Sequence, residues 1–201
     1  MTSKSSTQEW VEAILIAVVL ALFIRSFVVQ AFKIPSGSML ETLQIGDHLL
    51  VSRFSYDIKV PFTNIILFST GDPERGDVTV FEYPEDPSKD FIKRVIGLPG
   101  DTVEIVDKQV FINGKPLAEP YKQHTDPRIL GAPHMRDNMK PVTVPEGHFF
   151  CMGDNRDDSR DSRFWGYVSR EAIVGRALIL YWSWDGPNAA VRWDRLLKPV
   201  H

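Results

Sequence analysis

From Ile34 onward the chain predicts a mostly β, antiparallel domain, and ahead of it one apolar helix; three observations carry that fold class. Short alternating or β-branched runs, HLLVSRF, DVTVFEY, FIKRVIG, TVEIV, QVFI, GHFFCM and AIVGRALILYWSW, recur between Gly, Pro and Asp with few helical periods among them. Asn113-Gly114, between QVFI and KPLA, is the strongest hairpin signal, because a type I′ turn needs positive φ at both central residues. The first thirty-odd residues stand apart: AILIAVVLALFI, from Ala13 to Ile24, has no polar side-chain atom.

Taken in order, the apolar segment comes first. Read as a helix from Trp10 to Phe32 it would be about 34 Å long, enough for a hydrocarbon core of about 30 Å, so a transmembrane anchor is expected there. A cleavable leader would need a small-x-small site after the run, and Ser26 to Ile34 is dominated by Phe, Val and Ile. A buried core helix is suggested by the interruptions at Glu12 and Arg25, and an amphipathic surface helix would need a charged face that Ala13 to Ile24 lacks. Charge does not fix the orientation: Lys4 stands against Glu9 and Glu12 before the run, whereas Arg25 and Lys33 follow. Beyond the strands, Asp107-Lys108 reads as a second, weaker turn, and Tyr121 to Pro141 as a long surface loop.

Composition bounds what the domain can be. The 201 residues suit one domain with an appendage, 43% hydrophobic and 24% charged, and a formal net charge of −3 advertises no nucleic-acid surface. Cys151 is the single cysteine, which excludes an intramolecular disulfide and a multi-cysteine zinc site. The mean hydropathy of −0.14 excludes a polytopic membrane protein but conceals the one apolar segment.

Four polar segments interrupt the strands. IPSGSMLETLQIGD, residues 34 to 47, places Ser36 and Ser38 around Gly37, where a hydroxyl and a backbone amide can point the same way; taken alone it is equally a plain turn. RGDVTVF, residues 75 to 81, enters a strand without a reactive group. In DFIKRVIGLPGD, residues 90 to 101, alternation aims Lys93 to the face of Phe91 and Val95; desolvation there would lower its pKa and let it act as a base. GDNRDDSRDSRFWG, residues 153 to 166, offers Asp154, Asp157, Asp158 and Asp161, but the calcium-loop spacing fails at Arg156 and Ser159, and interleaved Arg and Asp favour salt bridges within the loop. The five histidines are scattered outside any catalytic context, so serine in a glycine-flanked turn with lysine in an apolar strand fits a Ser-Lys pair better than a Ser-His-Asp triad.

These segments together resemble the bacterial type I signal peptidases: PSGSMLETL at 35 to 43, GDVTVF at 76 to 81, KRVIGLPGD at 93 to 101 and GDNRDDSRDSRFWG at 153 to 166 stand in the family's order behind an apolar segment. Glu41 departs from the pattern, standing where the family usually has Pro. The resemblance implies an antiparallel β catalytic domain of signal-peptidase type, with a second β-hairpin region inserted at about 102–150 and an N-terminal transmembrane helix. It implies a cytoplasmic tail over 1–9, the anchor over 10–32 and an extracytoplasmic catalytic domain over 33–201. The chain would lie single-pass in the bacterial cytoplasmic membrane with its N-terminus inside.

The implied chemistry is a serine endopeptidase that removes signal peptides from secreted preproteins after a small-x-small (Ala-x-Ala) motif. Ser38 would be the nucleophile and Lys93 its general base. The Ser36 hydroxyl and the Ser38 amide would form the oxyanion hole. Ser159 would orient Lys93, while Asp161, Arg163, Asp154 and Arg156 brace the loop behind it. Phe32, Ile34, Met39, Leu43, Leu49, Val80, Asp90 and Ile92 would line shallow apolar pockets. No metal or cofactor is implied; the partners are signal peptides, the lipid bilayer and the protein export translocon. Three other readings stand beside this one. A self-cleaving repressor would need a DNA-binding domain ahead of its catalytic part. A non-catalytic binding relative would have lost Ser38 or Lys93. A secreted β protein would have shed its leader.

Overall fold

The structure, a computed structural model, describes residues 6–23, 29–59, 66–131 and 133–201. Helix α1 covers Ser6–Phe23, and strands β1 to β6 cover Val29–Lys33, Asp47–Ser52, Asp57–Lys59, Ile66–Ser69, Val78–Tyr83 and Asp86–Gly97. Next come β7 (Thr102–Val106), β8 (Gln109–Ile112), β9 (Lys115–Pro116), β10 (Met139–Thr143) and β11 (His148–Met152). The short helix α2 (Ser162–Trp165), β12 (Val168–Ser169), β13 (Ile173–Asp185) and β14 (Ala190–Val191) complete the chain.

The pattern of short β-branched runs is realised as antiparallel sheets. The main sheet has the order β1-β2-β13-β5-β6-β11-β12, with β14 beside β13; a four-stranded sheet runs β10-β7-β8-β9, and β3 pairs β4. All seven runs read from sequence are strands. The two hairpin signals hold for the reason given: Asp107 and Lys108 turn at φ 46° and 69° between β7 and β8, and Asn113 and Gly114 at 53° and 76° between β8 and β9. The four-stranded sheet is built from residues 102 to 143, whereas β11 returns to the main sheet. The loop after Tyr121 ends sooner than expected, because Met139–Thr143 pairs with β7.

Three apolar clusters hold the sheets together. Ile34, Met39, Leu43, Leu49, Val51, Val78, Val80, Ala177 and Leu180 form one below β1, β2, β13 and β5. A second, around Ile96, Val103, Val110, Phe150 and Met152, joins the ends of β6 and β11 to the four-stranded sheet. The third contains Phe81, Val95, Phe149 and Cys151. Strand β6 takes part in all of this: its partners are β5 along Asp86–Arg94 and β11 along Arg94–Gly97.

The expected helix over 10–32 requires correction. Helix α1 begins earlier, at Ser6, and ends at Phe23, whereas Val29–Lys33 lies in the main sheet with Phe32 opposite Leu49. The apolar stretch is thus divided between two elements; the alternation of Val29, Gln30, Ala31, Phe32 and Lys33 suits a half-buried strand. Among the described residues, no helix is long and apolar enough to cross a membrane. Arg25 and Ile24 lie outside the described residues. What α1 does show is apolar surface without cover: Trp10, Val11, Ile14, Leu15, Ile16, Val18 and Val19 are all exposed.

Candidate active site

The turn after β1 presents the nucleophile candidate. Ile34 is buried and its N–H donates to Asp47 O at 2.8 Å, so the chain enters the turn from a fixed point. Met39 and Leu43 are sunk into the first core, at 1% and 0% exposure, and Leu43 N–H donates to Met39 O. Apolar anchors thereby hold Ser38 at the surface of the core, half-buried, with exposed Ser36 beside it. Among the described residues, the Ser38 N–H donates to no backbone carbonyl.

Strand β6 delivers the second group. Lys93 is 4% exposed, and its Nζ lies 2.7 Å from Ser38 Oγ and 3.0 Å from Ile92 O. The ring of Phe91 lies 5.5 Å from the ammonium, on the face that alternation predicted. Burial lowers the Lys93 pKa from 10.5 to about 8; Asp161, Cys151 and Asp154 pull it back up to a lesser degree. A neutral lysine in contact with a serine hydroxyl can take its proton at mildly alkaline pH.

The loop of residues 153 to 166 holds this pair from behind. Asn155 N–H donates to Ser38 O at 3.1 Å, and Asn155 Nδ2 donates to Gly37 O at 3.0 Å, so one residue grips two successive carbonyls of the nucleophile turn. Gly153 sits so close that a Cβ there would lie 2.3 Å from Ser159 Oγ and 2.4 Å from Ser38 O. Asp154 is fully buried and accepts Arg94 Nε and Nη2 at 2.8 and 2.6 Å, and Thr42 Oγ1 at 2.5 Å. Arg94 follows Lys93 on β6 and Thr42 follows Ser38 by one turn, so these contacts tie the Ser38 turn to strand β6. Asp161 caps α2 through Arg163 N–H, accepts Gly153 N–H at 3.1 Å and forms a two-bond ion pair with Arg163. The Asp161 carboxyl is strongly buried, which raises its pKa, but the charge and hydrogen bonds of Arg163 with the Gly153 N–H hold it below the ordinary carboxylate value.

Several expectations change at this level. Salt bridges within the loop are the exception: Asp161–Arg163 is internal, but Arg156 pairs with buried Glu119, Asp157 with Lys108, and Arg160 with Glu85. Buried charges need partners in fixed geometry, and the other strands and loops supply them. Each of Asp154, Asp157 and Asp161 therefore faces a different cation, and no group of His, Cys, Asp or Glu suited to a metal occurs among the described residues. Among the described residues Ser159 makes no hydrogen bond to Lys93: its buried hydroxyl bears on the Asp161 carboxylate, and the Nζ contacts are Ser38 and Ile92. Of the eight expected pocket residues, Ile34, Met39, Leu43, Leu49 and Val80 are core side chains at 2% exposure or less. Phe32 and Ile92 are half-buried against that core, and Asp90 is exposed. Cys151 is fully buried opposite Val95, and burial pushes its thiol pKa far up, which leaves it unreactive.

Sequence reasoning missed Asn155, Arg94, Thr42 and Glu119 as parts of the site. Their types gave little signal, since each acts through a hydrogen bond or an ion pair made only in three dimensions. Glu41, the departure from the family pattern, is exposed and accepts Gln123 Nε2 at 3.2 Å.

The chain is similar to known proteins over most of its length. A family described as "Signal peptidase, peptidase S26" matches residues 7–182, a span that holds Ser38, Lys93 and the whole supporting loop. Signal peptidase I of Pseudomonas fluorescens is 42% identical over 200 residues, covering 84% of this chain and 70% of that protein. The Leptolyngbya laminosa signal peptidase I is 43% identical over 187 residues, with 90% and 82% covered, and Signal peptidase I S of Bacillus subtilis (strain 168) is 36% identical with 92% and 94% covered. The crystal structure of a signal peptidase I from Enterococcus faecalis V583 is 34% identical and covers 54% of this chain and 98% of that chain, at a TM-score of 0.43. With the family match enclosing the Ser38 turn and strand β6, and relatives aligned over most of its length, the chain belongs to the signal peptidase family of S26 serine peptidases.

Proposed function

We propose that the chain is a membrane-associated endopeptidase that cuts signal peptides from secreted preproteins after a small-x-small (Ala-x-Ala) motif, using Ser38 and Lys93 as a catalytic pair. The single observation that carries this reading is the 2.7 Å contact between Lys93 Nζ and Ser38 Oγ, made by a lysine that burial has brought to a pKa of about 8.

In the working sequence neutral Lys93 accepts the Ser38 proton as Oγ attacks the scissile carbonyl. Negative charge develops on the carbonyl oxygen, for which the Ser38 N–H and the exposed Ser36 hydroxyl are the nearest donors in sequence. Protonated Lys93 then returns the proton to the departing amine, and water releases the acyl half by the same steps in reverse order. Asp161, Arg163, Asp154 and Arg156 hold the loop that supports the pair. The Ser159 hydroxyl bears on the Asp161 carboxylate, and through it Ser159 would brace the loop behind Lys93. Half-buried Phe32 and Ile92 offer apolar contact to small substrate side chains, and Asp90 stands at the rim.

Association with the bilayer is supported by the uncovered apolar side chains of α1 and by exposed Trp193 on the β domain. The reading places the N-terminus in the cytoplasm of a bacterium and the catalytic domain on the outer side of its cytoplasmic membrane, where preproteins leave the export translocon. The test is cleavage of a preprotein carrying an Ala-x-Ala site by the full chain in detergent. Ser38→Ala and Lys93→Ala should each abolish it with the fold retained, and substantial turnover by Lys93→Ala would exclude the pair.

A further inference from the structure

A groove of about 790 Å³ opens beside the nucleophile turn. Its walls start at Pro35 and Leu40, the residues that flank Ser36–Met39, and extend to Trp182, Trp184 and Arg192. The floor is rigid backbone. Gly46 N–H donates to Ile34 O, Trp184 N–H donates to Gly46 O, and a Cβ on Gly46 would lie 2.1 Å from Trp184 O.

Strand register decides which side of the site this is. Lys33, His48 and Trp182 stand opposite one another across β1, β2 and β13, so their side chains share a face. Phe32 precedes Lys33 and points to the other face, into the core on which Ile92 also packs. The groove therefore lies across the nucleophile turn from the surface that Phe32 and Ile92 offer to the residues before the scissile bond. Chemically it is aromatic and apolar with a positive bias: among the described residues Lys33 and Arg192 are its charged lining residues, and no carboxylate lines it. Arg192 is partly committed, donating to Ile45 O at 3.0 Å with Asp185 3.7 Å away; Lys33 is exposed.

We infer that this groove binds the segment of polypeptide that follows the scissile bond, and that it favours apolar, aromatic and acidic residues there over basic ones. The inference rests on the endopeptidase reading above. During the reaction the half before the bond becomes attached to Ser38, and the half after it must leave on the opposite side of that serine. The groove is continuous with the turn on that side and is open to a chain. Its aromatic walls take apolar side chains, and its two cations attract carboxylates and repel lysine or arginine.

The experiment uses the full chain in detergent micelles and synthetic peptides with one fixed Ala-x-Ala half. The leaving half is varied: acidic with an aromatic residue, neutral, lysine-rich, or cut to a single residue. The acidic peptide should exceed the lysine-rich one in kcat/KM by about fivefold, the size expected of exposed charge contacts. Lys33→Glu should shrink or invert that ratio, and Trp182→Ala should raise KM for the aromatic peptide by about threefold to tenfold. The single-residue peptide should respond to neither variant. Equal kcat/KM across the set, or ratios unmoved by both variants, would overturn the inference. Unmoved ratios together with weaker binding of Trp182→Ala to phospholipid vesicles would assign the groove to a lipid surface instead. Failure of the parent enzyme to cut any peptide would count against the endopeptidase reading and not against the groove.

Discussion

Asn155 grips the nucleophile turn from behind: its backbone N–H donates to Ser38 O at 3.1 Å while its Nδ2 donates to Gly37 O at 3.0 Å. The side-chain bond can be removed without touching the backbone one. Asn155→Ala should cost about 1 kcal/mol of stability. It should lower kcat more than it raises KM, because the serine loses alignment while the substrate surface is intact; steady-state kinetics and a denaturant titration check both halves.

Gly153 meets the same turn by contact. With a Cβ placed 2.4 Å from Ser38 O and 2.3 Å from Ser159 Oγ, Gly153→Ala must displace one of the two segments. Activity should fall by about a hundredfold or more, the loss that a 1 Å misplacement brings, in a protein that still folds. A variant of near-parental activity would show that the turn tolerates movement.

With Lys93 as the proposed base, it is the group that would set the pH dependence of the rate. The base must be neutral, so kcat/KM should rise with pH through about 8 and level off above it. At pH 7 about a tenth of the molecules then carry the neutral amine. A pH profile on a substrate without titrating groups reads this directly, and a step near 6.5 with no change around 8 would point to histidine.

The same shift has a consequence for stability. Between about 8 and 10.5 the unfolded chain binds a proton that the folded chain has released, so this group makes stability rise with pH across that window. Below about 8 the native state holds a buried cation at a cost of up to about 3 kcal/mol. Lys93→Met should therefore be inactive and, at pH 7, more stable than the parent by about 1 to 3 kcal/mol, since it loses the contacts to Ser38 and Ile92 as well as the charge. The gain should shrink as the pH approaches 10.5. Thermal melts at pH 7 and pH 10 compare the two.

Arg156 and Glu119 are both buried and bonded to each other. Glu119→Ala leaves the guanidinium without its countercharge and should cost about 3 to 5 kcal/mol. Adding Arg156→Met should recover much of that loss. Chemical denaturation of the two variants checks the order.

How far the sequence announced all this differs by element. Period-two runs bounded by Gly, Pro and Asp marked the seven main strands, and the residues needing positive φ marked both hairpins, because these signals are local. Val29–Lys33 was hidden inside an apolar stretch where hydrophobicity alone does not distinguish helix from strand; pairing with β2 decides it. Ser38 and Lys93 were legible as types in suitable settings. What escaped were relations: that Asp154 faces Arg94 across the fold, that Asn155 holds Ser38, and that the pocket positions Ile34, Met39, Leu43, Leu49 and Val80 pack as core. Such partnerships depend on tertiary packing, which no spacing along the chain encodes.

Fifty-five positions separate Ser38 from Lys93, and the residue that holds Ser38 comes later still, at Asn155. A growing chain that has reached residue 150 already contains both reactive groups, yet neither the clamp nor β13, which lies between β2 and β5 in the main sheet. Closing such long loops is the late and slow part of folding an antiparallel sheet. The contacts that seat Ser38 against Lys93 therefore close only once most of the chain has been made.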